Sequence, residues 1–267
     1  LEDAMTLAVK LQNASPEEFG LLPCKGLVKH ARNPTQPRRD ITMVFKFPPQ
    51  YNTVNSLRGL LLETQAQTGF AETPQGRIDR LAMAKHLVKA VLSVHLYDMV
   101  HKNIRPETLV CFSTADQDQK RRFPQNAFLI GFEVMRGSRH QSDKAQTKSA
   151  QDAANLYHHP DRLRSDTSTY ETPYHRMEHD VYSLGVCLLE IGLWRSFVTY
   201  NENGPMVGKE LRLTDGSLQS ADAMKNHFFR LANSELASKM GAEYSGVVCR
   251  CLTSWDEAKK QDFPPER

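Results

Sequence analysis

Between His101 and Thr108 the chain reads HKNIRPET, gathering an imidazole, two cations, a carboxamide, a carboxylate and a hydroxyl within eight positions. Lys102 and Arg105 could neutralise a phosphate, but accepting a proton near neutral pH calls for a carboxylate or free imidazole, and Asn103 at the centre is neither. Further along, Gly131-Phe132-Glu133 offers one more carboxylate. A second reactive cluster is His175 to His179, HRMEH. On one continuous helix its two imidazoles would share a face and could bind zinc, with Glu178 activating water and Glu190 or Glu202 as a third protein ligand. Cys249 and Cys251 form a third pair, but no second pair lies nearby, so they read as core residues of a helix.

These groups need a frame. A chain of 267 residues can bury a sizeable core, as one large domain or two smaller ones. Hydrophobic residues at 40% and charged residues at 24% describe a soluble globular protein. The net charge of +3 is too small and too evenly spread to indicate nucleic acid. No apolar run is long enough to span a bilayer, since Glu190 interrupts the longest, VCLLEIGLW. Five cysteines, an odd number without framework spacing, suit a reducing cytoplasmic compartment. The start LEDAMTLAVK has neither an initiator Met nor a signal-peptide pattern and reads as cut from a longer chain.

Hydrophobic periodicity places the elements. The first 30 residues read as helical, with Met5, Leu7, Ala8 and Leu11 on one stripe. In RDITMVFKFPP, Ile41, Met43, Phe45 and Phe47 share one face of a strand that Pro48-Pro49 stop. Asn55 or Ser56 caps a short helix carrying Leu57, Leu60 and Leu61. A long helix over Ile78–Met99 shows Leu81, Ala84, Val88 and Val91 on one side. Strands TLVCF and AFLIGF follow. Residues 135–155 hold almost no large apolar side chain and read as a mobile loop. DVYSLGVCLLEIGLW, apolar on nearly all sides, reads as a helix buried mid-domain, and two more helical stretches cover Ala221–Met240 and Glu243–Leu252. No internal repeat is present.

A strand ending in a hinge, a short helix, a long helix, HKNIRPETLV, FLIGFE, YHHPD and HDVYSLGVCLLEIG resemble, in this order, successive landmarks of the eukaryotic protein kinase family, from about Leu1 to Leu252. The resemblance implies an α+β fold with a mainly helical C-lobe around the Asp180 helix. The small N-lobe would be incomplete, a remnant over 1–50 with the hinge near 46–50, and the C-lobe would be 51–267. It also implies that the loop keeps its frame and has lost its chemistry. His101 and Lys102 belong to the degenerate catalytic loop. Asn103 stands at the catalytic Asp, Arg105 at a phosphate-contacting Lys and Thr108 at a metal-binding Asn. Gly131, Phe132 and Glu133 stand at Asp-Phe-Gly, so the chief magnesium carboxylate is missing. Phe45 backs the adenine pocket, Phe47 is in the hinge, and Pro48 has no N–H to offer adenine. No Gly-rich loop and no strand with a phosphate-pairing Lys is recognised before Ile41. Asp180 resembles the residue that anchors the loop from below, and Pro160 and Asp161 resemble the end of the activation segment.

By this resemblance the chain is a pseudokinase, a regulatory or scaffolding module with other proteins as partners, without nucleic acid or a membrane span, and without ATP or magnesium. YHHPDRL and HDVYSLGVCLLEIGLW are also similar to the kinase-like C-terminal domains of fungal proteins associated with HeLo-type prion-inhibition and propagation modules, implying self/non-self recognition or cell-death signalling. Ser138, Ser142, Thr147 and Ser149 are possible regulatory phosphosites, able to pair with Lys102 and nearby Arg residues. Two alternatives stand beside this reading. One is an atypical but active Ser/Thr kinase in which Glu133 returns to hold metal. The other is a zinc peptidase, since HRMEH matches the H-x-x-E-H pattern of inverted zinc peptidases.

Overall fold

Leu7 and Leu11, a turn apart and fully buried, hold the first helix, α1 (Glu2–Gln12), against the body of the protein in this computed structural model. The structure describes residues 2–29, 41–63, 68–114, 124–132, 147–163 and 175–262. Ser15 caps the one-turn α2 (Pro16–Phe19), and Gly20 ends it at φ +65°. A Cβ there would lie 2.6 Å from the His86 carbonyl, so only glycine lets the chain turn so close to the neighbouring helix. Helix gives way after Phe19 to β1 (Cys24–Lys29), which pairs antiparallel with β2 (Ile41–Phe45). The helical expectation for the first 30 residues is therefore corrected at this strand. Gly26 and a register shift beside it break the two-residue alternation that would have marked the strand. A strand with lysines does precede Ile41, but Lys25 and Lys29 are both exposed.

β3 (Thr53–Ser56) leads into α3 (Leu57–Glu63), where the Ser56 hydroxyl accepts the Gly59 N–H at 3.0 Å and Leu57, Leu60 and Leu61 turn inward. After α4 (Thr68–Ala71) comes α5 (Pro74–Leu96), started by Thr73, whose hydroxyl accepts the Gly76 N–H at 3.0 Å. Its start is four residues earlier than periodicity suggested, at the proline of the first turn. Its inner face is also different from the expected stripe. Ala84 and Val91 are buried, whereas Leu81 and Val88 are 39% and 37% exposed. Both sides of this helix are apolar, so hydrophobic spacing alone did not mark the inner one.

β4 (Leu109–Ser113) pairs antiparallel with both β3 and β5 (Phe128–Leu129). The expected mobile loop over 135–155 is corrected from Thr147 onward, because Thr147 caps α6 (Lys148–Asn155), with Ala153 buried and the Ser149 hydroxyl on the Pro205 carbonyl. Low apolar content hid a helix that needs only one buried alanine and a tether.

Every residue from Tyr182 to Leu193 of α7 (Met177–Leu193) is buried. A hairpin, β6 (Val198–Asn201) and β7 (Gly204–Val207), follows, then α8 (Ala221–Leu231), a π-helical turn at Ala232–Leu236, α9 (Ala237–Met240) and α10 (Ala242–Asp262). The described residues thus make a mixed, mainly helical protein with three small antiparallel sheets. No described helix is long and apolar enough to cross a membrane.

α7 packs against α5 on one side and α10 on the other. Glycine sets the spacing: a Cβ on Gly185 would lie 2.8 Å from the Cys251 Cβ, and one on Gly192 would meet Leu236 and come within 2.8 Å of Tyr244. Gly185→Val should destabilise the protein by about 1–3 kcal/mol through overpacking, measured as a lower urea midpoint at unchanged slope.

Candidate functional site

The end of α5 delivers the chain into His101–Thr108, and the start of α7 rises beneath it. Asp180, fully buried, accepts the His101 N–H at 2.6 Å and the Lys102 N–H at 2.9 Å. Two imidazoles complete its shell, His95 Nε2 at 3.2 Å and His175 Nε2 at 2.9 Å. Burial alone would raise the carboxyl, but the hydrogen bonds from His175 and His95 overcome it and hold Asp180 far below the usual carboxylate range. This clamp stabilises a strained backbone, because Lys102 sits at φ +65°, left-handed for a residue with a Cβ.

His101 is equally enclosed. Its Nδ1 accepts the Asn103 N–H at 3.3 Å and its Nε2 faces the Ile130 carbonyl at 3.0 Å, which selects the neutral tautomer protonated at Nε2. Burial pushes its pKa down to about 4. The Phe132 ring meets this imidazole edge-on at 4.6 Å and the Phe45 ring at 6.2 Å, so the loop, the Gly131 segment and β2 close on one another.

Asn103 and Thr108 are turned onto the backbone. Asn103 donates from Nδ2 to the Gly131 carbonyl at 3.3 Å. The Thr108 hydroxyl faces the Asn103 and Arg105 carbonyls at 2.7 and 2.9 Å and accepts the Arg105 N–H at 3.2 Å. Gly131 lies at φ +82°, and a Cβ there would stand 2.6 Å from Thr108 Cγ2 and 3.4 Å from Asn103 Nδ2. The volume that an acidic side chain at this position would need is already filled.

At the segment expected to be a hinge, Phe47 is 45% exposed and meets Phe112 edge-on at 5.0 Å, Pro48 is buried, and the Lys46 N–H is bound to the Pro23 carbonyl at 2.8 Å. A cavity of about 190 Å³ opens beside Arg105, Glu107, Tyr200 and α6, and another of about 260 Å³ lies among Pro16, Pro23, Lys46 and Pro48. Neither is lined by Asn103, Thr108 or Gly131.

Pro160 and Asp161 stand apart from this loop, where Trp255 Nε1 donates to Asp161 at 2.6 Å and the His159 Nδ1 accepts the Asp161 N–H at 3.2 Å. Glu133, Ser138 and Ser142 lie outside the described residues. The zinc arrangement is corrected by the helix boundary. Arg176 is the residue before α7, so His175 precedes the helix and is committed to Asp180, while His179 Nδ1 accepts the Arg176 N–H at 3.0 Å. Glu190 is engaged elsewhere, Glu202 is exposed, and no three His, Cys, Asp or Glu among the described residues are grouped to hold a metal.

Sequence reasoning missed Arg58, which joins the underside of the loop to α7. Its guanidinium reaches Glu190 Oε1 at 2.8 Å, Glu107 Oε1 at 3.0 Å, Ser196 Oγ and Tyr157 OH. Tyr157 and the Phe197 N–H donate to the Glu190 carboxylate at 2.7 and 2.8 Å. Burial pushes the Glu190 carboxyl up, opposed by Arg58 and by the Phe197 and Tyr157 donors; burial also opposes charge on Arg58, but Glu190, Tyr157 and Glu107 outweigh it and hold the guanidinium well above its ordinary range. The signal was present: a glutamate inside an otherwise apolar helix demands a buried cation.

No family model matches this chain, and no curated protein matches it. Among solved structures, a chain in the crystal structure of the yeast RNA Pol II CTD kinase CTDK-1 complex aligns at a TM-score of 0.42 and 15% identity, covering 76% of this chain and 54% of that one. This chain spans about half that chain's length, and at such a score the superposition does not decide the fold.

Asp180→Asn should cost about 3–5 kcal/mol in urea unfolding and speed amide exchange at His101 and Lys102, because an amide group would then face one of the two N–H donors. A pH effect follows separately from His101, which in the unfolded chain binds a proton near its ordinary 6.5 but in the folded protein only near 4. The unfolded state therefore holds more protons in that window, and stability falls as pH drops from about 6.5 to 4, by up to about 1.4 kcal/mol per pH unit for this group. His101→Gln should shallow that slope by about one proton, measured by denaturation across the same range.

Proposed function

We propose that this chain is a protein-kinase-like domain that has lost phosphoryl transfer and works by binding other proteins. One observation carries the reading: Thr108 and Asn103 pack into the space above Gly131 and spend their polar groups on backbone. A kinase needs a proton-accepting carboxylate and two magnesium ligands within this volume. Here a neutral amide, a hydroxyl held by carbonyls and a glycine occupy those three positions.

The order of elements supports the kinase-like part of the reading. A two-stranded sheet with a flanking helix, a hinge at Lys46–Pro49, α3, α5, the clamped loop, a hairpin and a buried α7 follow the family's sequence of landmarks. On this reading, residues 1–50 are a reduced N-lobe and 51–267 a C-lobe. The clamp by Asp180 has a role without catalysis, since it keeps a loop folded whose reacting groups have been exchanged. A regulatory or scaffolding role in signalling, of the kind implied by the similarity to fungal HeLo-associated domains, is the narrower form of the proposal. Phosphate on Thr147 or Ser149 would act at the tether of α6 to Pro205.

Purified protein should show no change in melting temperature with ATP and magnesium and should transfer no radiolabelled phosphate to itself or to a generic acceptor. A shift of several degrees, or transfer abolished by Arg105→Ala, would establish an active atypical kinase instead. Asn103→Asp with Gly131→Asp should restore neither behaviour and should lower the melting temperature, because the second carboxylate meets Thr108.

A further inference from the structure

We infer that the outer face of α5 is a docking surface for an acidic amphipathic helix of another protein. Ile78, Leu81, Val88, Leu92 and Leu96 are exposed by 56%, 39%, 37%, 55% and 72%. At about 100° per residue they fall within a single arc of about 100°, opposite the arc occupied by the buried Met83, Leu87, Ala90 and Val94. The strip runs about 27 Å along the helix, or five turns. Its spacing of three, seven, four and four residues, with Lys85 in the seven-residue gap, is that of a seam built to receive a second helix.

An exposed row of this kind on a helix already buried on its other side is not needed for folding. Ordinary surface helices carry a polar outer face. Water contact along five large aliphatic side chains costs free energy that a polar sequence would avoid, and contiguous apolar strips edged by charge mark contact sites.

Charge selects the occupant. Lys85 lies inside the strip and Lys89 and Arg77 on its edges, all exposed, while Asp79, the helix's one acid, is fully buried. A second copy crossing antiparallel about the strip's midpoint would bring Lys85 of each chain against Lys89 of the other, placing four ammonium groups in a desolvating interface. A helix with leucine-type residues in its core positions and Glu or Asp flanking them would bury the same strip and neutralise these cations. The inference concerns the side of α5 opposite its buried face and holds whether or not the site transfers phosphate.

The test uses a fluorescent peptide of about three heptads with Leu at both core positions and Glu at the flanking ones, and a matched peptide with Lys at the flanking positions. The Glu peptide should bind the intact chain by anisotropy, gaining helicity, and the Lys peptide should bind at least about tenfold more weakly. Leu81→Glu with Leu92→Glu should weaken Glu-peptide binding at least about tenfold while leaving the melting temperature in place, both sites being solvent-facing. Lys85→Glu with Lys89→Glu should reverse the preference between the two peptides, a gain that misfolding would not produce. Equal binding of both peptides, absence of binding, or indifference to these substitutions would overturn the inference. So would a dimer in sedimentation equilibrium that Leu81→Glu with Leu92→Glu abolishes, or binding to phosphatidylserine vesicles in place of the peptide.

Discussion

One buried carboxylate organises the centre of this protein. Asp180 sits on α7 with no exposed surface, and its two oxygens take up two successive backbone amides and two imidazoles. A lone ionised carboxylate at such depth would be strongly disfavoured; four donors make it tolerable. The four donors tie in three parts of the chain, namely the end of α5 through His95, the loop through His101 and Lys102, and the segment before α7 through His175. The left-handed turn at Lys102 depends on this arrangement, and every residue from Asn103 to Thr108 is placed by that turn.

What the clamp presents is a loop satisfied from within. Its amide and hydroxyl are bound to carbonyls of the same loop and of Gly131, and the glycine's absent side chain is replaced by the Thr108 methyl group. Such packing stabilises the segment by giving the Asn103 amide and the Thr108 hydroxyl backbone partners. The cluster below follows the same logic: Arg58 bridges Glu107 and Glu190 and so joins α3, α7 and the Pro106 turn. The Arg58 charge is buried in this cluster, whereas the charge on the outer face of α5 remains exposed to solvent.

Several readings of the chain rested on strong local signals. The long apolar run of α7, the alternation of β2 and the serine before Leu57 have few physical alternatives, because each records a burial or capping pattern within a few residues. Other signals misled for equally local reasons. The two apolar sides of α5 made its inner face ambiguous, the bulge at Gly26 disguised β1, and α6 carries too little apolar surface to announce itself. The HRMEH spacing describes two histidines on one helix only if the helix includes both, and the boundary at Arg176 falls between them.

The residue types at positions 103, 108 and 131 are properties of the chain alone, and with them the lack of a carboxylate at each, since chemistry of this kind needs no coordinates. Which groups would satisfy Asp180, that Arg58 would answer Glu190 across 132 positions, and that Thr108 would fill the space over Gly131 were decided only when distant segments packed together. Spacing along a chain records contacts a few residues apart. Pairings between separate elements depend on how α3, α5 and α7 fit against one another, and that fit is set by side-chain volume and the satisfaction of buried polar groups throughout the core.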